Sequence, residues 1–220
     1  MAKAGKKNCE VKAIIFDLGG IIVSNSDDGV IKGMSIFFGV PEKKLERVLV
    51  SIIKPYMEGR VSNRKFYSVL AGSLRIRRPK PFNAYRKMMI ETYLRHGRIY
   101  RRMTGLVMRL RKHYHVVALT NTIALHESAN IRRKLFSYFD RAFRSNRMGM
   151  AKPYFTTGTK NPTKIYLEVC RRIRKKPENC IFIDDMKPNL IPARKIGMKA
   201  LHYQNYGKLC GDLRESGVTI

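Results

Sequence analysis

The sequence predicts an α/β fold in which a parallel sheet carries helices on both faces. Short apolar runs rich in β-branched residues alternate along the chain with segments of helical spacing. A length of 220 residues fits one domain, or one core with a modest insertion. Hydrophobic residues make up 44% of the chain, which is enough for a packed core and excludes a wholly disordered protein.

Five short apolar runs are predicted to be strands. The first begins at Val11 and ends at Asp17, and the following Gly19 and Gly20 indicate a tight turn. The other four strands are predicted at His115–Thr120, Arg141–Arg144, Cys180–Asp184 and Lys199–Tyr203. Helices are predicted around these strands at Thr104–Lys112, His126–Phe136, Thr163–Ile173 and Asn189–Ile196.

The stretch between the first two strands is too long for a loop in a compact domain. It has four segments of helical spacing, at Lys32–Phe38, Lys43–Ile53, Asn63–Leu70 and Asn83–Leu94. We therefore expect a basic tail (residues 1–10), a core (residues 11–24 and 100–220) and a helical insertion (residues 25–99) that lies over the carboxyl edge of the sheet.

The chain is strongly basic, with 45 Lys and Arg against 16 Asp and Glu and a formal net charge of +29. Between Ala71 and His115 the only acid is Glu91. Such a charge favours binding to polyanionic partners such as nucleic acid. The alternative is that the basic residues form a solvated surface that has no partner. No signature of a nucleic-acid-binding module accompanies it.

Cysteine spacing and hydropathy indicate the cellular compartment of the protein. The four cysteines lie far apart without a C-x-x-C pair, which indicates neither a zinc site nor a disulfide framework. No apolar run reaches the roughly 18–20 residues of a membrane span, and the first ten residues lack the apolar part of a secretory signal. We expect a cytoplasmic protein with reduced thiols.

Polar side chains stand at the predicted strand ends, where open α/β sheets bind ligands. They are Asp17, the pair Thr120 and Asn121, and the pair Asp184 and Asp185. Three carboxylates gathered at one edge repel one another unless a divalent cation lies among them, and oxygen ligands suit Mg²⁺. The sequence therefore predicts a magnesium site, next to which a lysine from the loop after the third strand would neutralise a phosphate.

Four segments together resemble the motifs of the haloacid dehalogenase-like (HAD) hydrolases. They read IIFDLGGIIV at 14–23, ALTN at 118–121, SNRMGMAKP at 145–153 followed by PTKIY at 162–166, and CIFIDD at 180–185. Each motif alone is weak evidence, but all four occur in the order and spacing of the family. The resemblance implies a Rossmann-like core with a small helical cap.

The resemblance also implies roles for the residues at the strand ends. Asp17 would be the nucleophile, forming an aspartyl-phosphate, and a metal ligand. Asp185 would bind the metal directly, Asp184 would be its water-mediated partner, and the backbone carbonyl of Gly19 would be a further ligand.

The second and third motifs would contribute the groups that contact the phosphoryl group. Thr120 and Asn121 would donate hydrogen bonds to it, and the alternative is that they cap a helix. Lys152 matches the lysine of the third motif, but an insertion of residues 154–161 leaves Lys160 as the alternative.

One departure from the family bears on catalysis. Many family phosphatases have a second Asp two residues after the nucleophile, as general acid, where this sequence has Gly19. Its absence predicts slow turnover or a leaving group of low pKa. His126 is a candidate for the missing acid, or else a surface histidine.

The function implied is a Mg²⁺-dependent hydrolase of an anionic small molecule, a phosphate monoester, with cap arginines facing a second anionic group. One alternative is a weakly catalytic or inactive HAD-fold protein that binds nucleic acid. A C–halogen hydrolase is the other, and Asp184 and Asp185 argue against it because the enzymes that give the family its name lack this acidic pair.

Overall fold

A computed structural model describes residues 10–153 and 161–220 and has a five-stranded parallel sheet in the order β3-β2-β1-β4-β5. The strands are β1 (Ala13–Phe16), β2 (His115–Thr120), β3 (Arg141–Arg144), β4 (Cys180–Asp184) and β5 (Lys199–His202). The predicted α/β fold and its five strands are confirmed, although β1 is shorter than the apolar run that predicts it.

The central strand β1 is apolar throughout because neighbours cover both of its edges and both of its faces. It pairs in parallel with β2 on one side and with β4 on the other. All four of its side chains are completely buried. A strand buried on both faces reads as a continuous apolar run rather than as an alternating pattern, which is why this segment is recognisable in the sequence.

Six helices accompany the strands in the described part of the core. They are α5 (Arg101–Leu110), α6 (Ala124–Arg132), α7 (Ser145–Met148), α8 (Lys164–Ile173), α9 (Lys187–Lys195) and α10 (Tyr206–Glu215). Leu106 of α5 and Leu213 of α10 belong to the apolar cluster on one face of the sheet. Val169 of α8 and Ala193 of α9 belong to the cluster on the other face.

Four helices lie within residues 25–99, the predicted insertion between β1 and β2. They are α1 (Asp27–Phe38), α2 (Glu42–Met57), α3 (Asn63–Ser73) and α4 (Phe82–His96). Their own apolar cluster includes the fully buried Tyr56 and Tyr85. The segments through which the chain leaves and re-enters the core lie side by side. The Ser24 N–H donates to the Arg98 carbonyl (2.8 Å), and the Tyr100 N–H donates to the Ile22 carbonyl (2.9 Å). The division of the chain into a core and a cap stays a prediction.

One predicted helix is wrong at its end. The apolar spacing from His126 to Phe136 predicts a single helix, but α6 ends at Arg132. Lys134 then takes a left-handed backbone conformation with φ of 54°, and a short 3₁₀ turn follows at Leu135–Tyr138. Within the described residues, no helix is both long and apolar enough to cross a membrane.

Candidate active site

Three carboxylates from two separate strands meet at the carboxyl edge of the sheet. Asp17 directly follows β1, Asp184 is the last residue of β4, and Asp185 comes next. Asp17, Asp184 and Asp185 each offer one oxygen such that all three oxygens lie within 4.8 Å of one another. The structure thus brings together the three acids that the sequence predicts as a metal site.

The ammonium group of Lys152 lies between two of these acids. Its Nζ is 2.9 Å from Asp17 Oδ1 and 2.6 Å from Asp184 Oδ2. The lysine side chain is 1% exposed, so this charge is buried and needs both partners. Burial by itself lowers the pKa of Lys152, but the two carboxylates outweigh it and raise that pKa above its usual value. Burial raises the pKa of Asp17, which the charge of Lys152 opposes.

The two neighbouring acids of the fourth motif have different surroundings. Asp184 is fully buried and accepts hydrogen bonds from Lys152, from Asn189 Nδ2 (3.0 Å) and from the Met186 N–H (2.8 Å). Asp185 is half-buried and lines the open cavity beside Asp17. Burial raises the pKa of Asp185, and the charge of Asp184 adds to this. Asp184 therefore anchors the lysine, while Asp185 faces the space that a ligand enters.

The turn after β1 needs glycine at one of its two positions. Gly20 has a φ of 71°, and a Cβ atom there would lie 2.1 Å from Asp185 Oδ2. Apart from Gly19 itself and its two chain neighbours, no atom of the described residues lies within 4 Å of the place where a Cβ on Gly19 would be. The close approach of Gly20 lets Asp185 lie beside Asp17, whereas Gly19 faces open space.

Gly20→Ala is therefore expected to lower the free energy of unfolding by ~1–3 kcal/mol and to weaken Mg²⁺ binding, because the methyl group strains the backbone and displaces Asp185. Gly19→Ala is the matched control and should change both quantities little. Urea denaturation and calorimetric Mg²⁺ titration of the two variants measure the difference. Equal effects of the two substitutions would contradict this account of the turn.

The side chain of Asn121 holds the backbone of the lysine segment. Its Nδ2 donates to the Lys152 carbonyl (3.0 Å), and its Oδ1 accepts from the Lys152 N–H (2.7 Å). The buried Thr120 lines the cavity. The alternative that these two residues cap a helix is wrong, because the N-cap residue of α6 is Ile123. Their contact with a phosphoryl group stays a prediction, in which Asn121 also positions Lys152.

The acids border a cavity of about 140 Å³ whose far wall comes from the helical insertion. Asp27 of α1 and Tyr93 of α4 are part of that wall, and the sequence does not reveal either of them. The only local signal for Asp27 is that of an acid in the first turn of a helix. Burial raises the pKa of Asp27, and the charges of Asp28 and Asp185 add to this.

His126 is a wall residue of this cavity, so its interpretation as a surface histidine is wrong. Its ring stacks on Tyr93 with 4.0 Å between the ring centroids. Burial and the nearby charge of Arg133 lower the pKa of His126 to about 3. The imidazole is therefore neutral near pH 7 and has no acidic proton to give to a leaving group.

The predicted role of the insertion arginines is also wrong. No arginine of the insertion (residues 25–99) lines the cavity, and all of them are exposed. The Lys and Arg residues between Ala71 and His115 do not line it either, and all of these except the half-buried Arg111 are exposed. Among the cavity residues that the structure describes, Lys152 is the single cation. Lys160, the alternative to Lys152, lies outside the described residues.

A family model for haloacid dehalogenase-like hydrolases matches residues 11–197, which include all four motifs and every acid of the site. The chain belongs to this hydrolase family. The resemblance that the motifs indicate is thus confirmed, and the protein is a HAD-like hydrolase.

The individual relatives of this HAD-like hydrolase have low sequence identity to it. It is 31% identical over 107 residues to flavin mononucleotide hydrolase 1 of Arabidopsis thaliana, a chloroplast protein by its name. That match covers 49% of this chain and only 40% of the relative.

Several solved structures share the fold, including the following two. The HAD family enzyme bt-2542 of Bacteroides thetaiotaomicron, in complex with magnesium and inorganic phosphate, has a TM-score of 0.73 at 20% identity and covers 90% of this chain and 98% of its own. The 2-haloacid dehalogenase of Pseudomonas syringae pv. Tomato DC3000 has a TM-score of 0.60 at 17% identity, with 89% of each chain covered.

Proposed function

We propose that this HAD-like hydrolase cleaves a phosphate monoester with the help of Mg²⁺. The observation that carries the proposal is the meeting of three carboxylates with one buried lysine at the edge of the sheet. Acids from distant parts of a chain that carries a net charge of +29 need a reason to be adjacent, and a shared divalent cation supplies it.

The residues present fit a magnesium ion. Asp17 and Asp185 offer hard carboxylate oxygens to the cavity, and the Gly19 carbonyl is the third protein ligand that we assign. Asp184 has its oxygens occupied by Lys152, Asn189 and a backbone N–H, so its role is to fix the lysine. Bound Mg²⁺ would neutralise charge on the phosphoryl oxygens and hold them beside Asp17.

The chemistry then depends on Asp17. Its carboxylate attacks phosphorus in line, and the bond to the leaving-group oxygen breaks as the new oxygen–phosphorus bond forms. Lys152 neutralises negative charge on the transferring group, and the Thr120 hydroxyl donates a hydrogen bond to it. Water then hydrolyses the aspartyl-phosphate and restores Asp17. No acidic side chain stands at position 19, so the leaving group must depart without that proton donor.

Substitution of Gly19 by Asp tests this last point. The space around Gly19 is open, so a carboxyl group fits there. We expect kcat for an alkyl phosphate to rise by at least about tenfold in Gly19→Asp, because general acids matter most for poor leaving groups. Turnover of an aryl phosphate, which has a good leaving group, should rise much less. An equal change for the two substrates would contradict the assignment, and Gly19→Asn is the control for side-chain size.

Hydrolysis of an aryl phosphate with and without Mg²⁺ tests the proposal as a whole. Activity that needs Mg²⁺ and disappears with a chelator is the expected result. Activity that a chelator leaves unchanged would overturn the metal assignment. Complete inactivity in Mg²⁺ toward both aryl phosphates and simple alkyl phosphates would overturn the phosphatase assignment.

The relatives support phosphate chemistry over the two alternatives. The Arabidopsis relative is named for hydrolysis of flavin mononucleotide, a compound that is itself a phosphate monoester, and bt-2542 was crystallised with magnesium and inorganic phosphate. Likeness to a dehalogenase concerns the fold, whereas the acidic pair Asp184 and Asp185 favours phosphate over a C–halogen bond. Neither nucleic-acid binding nor a cytoplasmic location has independent support, and both stay predictions.

A further inference from the structure

A second cavity, of about 360 Å³, lies along the edge strand β3. All four residues of β3 line it, and none of its lining residues belongs to the candidate active site. The strand pairs with β2 on one side, and its outer side pairs with no strand among the described residues. An unpaired strand edge presents N–H and C=O groups to which another extended segment can bind.

Guanidinium groups flank this edge on both faces of the sheet. Arg141 lies over the ring of Phe143, which belongs to the apolar cluster of α8 and α9. Arg144 lies over the ring of Phe136, which packs against the cluster of α5 and α10. Arg172 of α8 lines the same cavity. An extended segment added to β3 would therefore meet a cation on each face.

Ion pairs hold most of these arginines in place without removing the positive charge. Arg144 Nη1 lies 2.8 Å from the buried Glu127, which also binds Arg147 (3.0 Å). Glu168 likewise forms ion pairs with two arginines, Arg171 and Arg172, and Arg172 lines the cavity.

The remaining charges leave the edge cationic. Asp140 is the one acid among the described residues of the lining, and it binds Arg111. Arg141 has no carboxylate within ion-pair distance in residues 10–153 and 161–220. Arg144 Nε is buried and has no hydrogen-bond partner in those ranges. Fixed cations beside an open strand edge are complementary to carboxylates on an extended chain.

We infer that the edge of β3 binds an acidic polypeptide segment as an added strand. Main-chain hydrogen bonds to β3 hold the segment, and its Glu or Asp side chains reach the arginines on the two faces. A nucleic acid would use the cations alone, and it would make no use of the open main chain.

Fluorescence polarisation with the full chain tests this inference. The probe is a fluorescein-labelled peptide of about eight residues composed of Glu and Val, with a Lys and Val peptide as charge control. A second version of the acidic peptide has an N-methyl group on every amide, so both of its edges lack N–H donors and it cannot pair with a strand. Oligouridylate of similar charge is the nucleic-acid probe.

The expected result is saturable binding of the acidic peptide that weakens at least about tenfold in Arg141→Glu and for the N-methylated version. Arg86→Glu, an exposed arginine of α4, should change binding less than about twofold, and all variants should keep the wild-type phosphatase activity. No binding of the acidic peptide, or equal binding of its fully N-methylated version, would overturn the inference. Tighter binding of oligouridylate that is also lost in Arg141→Glu would overturn it in favour of nucleic acid.

Discussion

Replacing Asp17 by Asn is expected to reduce the turnover of an aryl phosphate by at least about a thousandfold. The amide has nearly the shape of the carboxylate but is not a nucleophile toward phosphorus, and it removes one charge from the metal site. The ion pair with Lys152 at 2.9 Å is lost as well. Steady-state kinetics at a Mg²⁺ concentration that saturates the wild type measure the change.

Asp28→Asn is the matched control for this experiment. Asp28 is an exposed acid of α1 that does not line the cavity, so its substitution removes the same charge at a distance from the chemistry. Its turnover should stay within about twofold of wild type. If Asp17→Asn kept more than about a tenth of the wild-type turnover, Asp17 would not be the nucleophile.

Replacing Lys152 by Gln is expected to lower the free energy of unfolding by ~3–5 kcal/mol in the absence of Mg²⁺. Asp17 and Asp184 are both buried, and without the ammonium group their charges face each other with no cation between them. Urea denaturation monitored by circular dichroism measures the loss. Added Mg²⁺ should restore part of it, since the ion supplies positive charge beside Asp17.

Lys187→Gln, at the exposed start of α9, is the control and should change the free energy of unfolding by less than ~0.5 kcal/mol. A loss below ~1 kcal/mol in Lys152→Gln would mean that the two acids do not depend on this lysine for their charge balance.

The strands and the acids at their ends were predictable because both leave local signals. Burial on two faces gives β1 and β4 continuous apolar runs, and Asp17, Asp184 and Asp185 interrupt those runs where the strands end. Parallel pairing then brings the three acids to one edge. The glycine turn after Asp17 was recognisable too, but the contact that requires glycine at position 20 and not at 19 depends on the position of Asp185.

The rest of the site depends on contacts between distant segments, which no local pattern encodes. Tyr93 of the insertion stacks on His126 of α6. Burial and the charge of Arg133, rather than the sequence around the histidine, lower the pKa of His126. Asn121 looks like a helix cap or a phosphoryl ligand, whereas its amide reaches the backbone of Lys152. In the sequence, the Lys and Arg residues between Ala71 and His115 look like contacts for an anionic substrate. In the structure their side chains are exposed, except for the half-buried Arg111.

Calorimetric titration with Mg²⁺ tests most directly whether Asp17 and Asp185 bind a common ion. The account predicts one saturable site per chain in the wild type, lost in Asp17→Asn and in Asp185→Asn but kept in Asp28→Asn. Wild-type protein that binds no Mg²⁺, or binding that survives in both site variants, would contradict it.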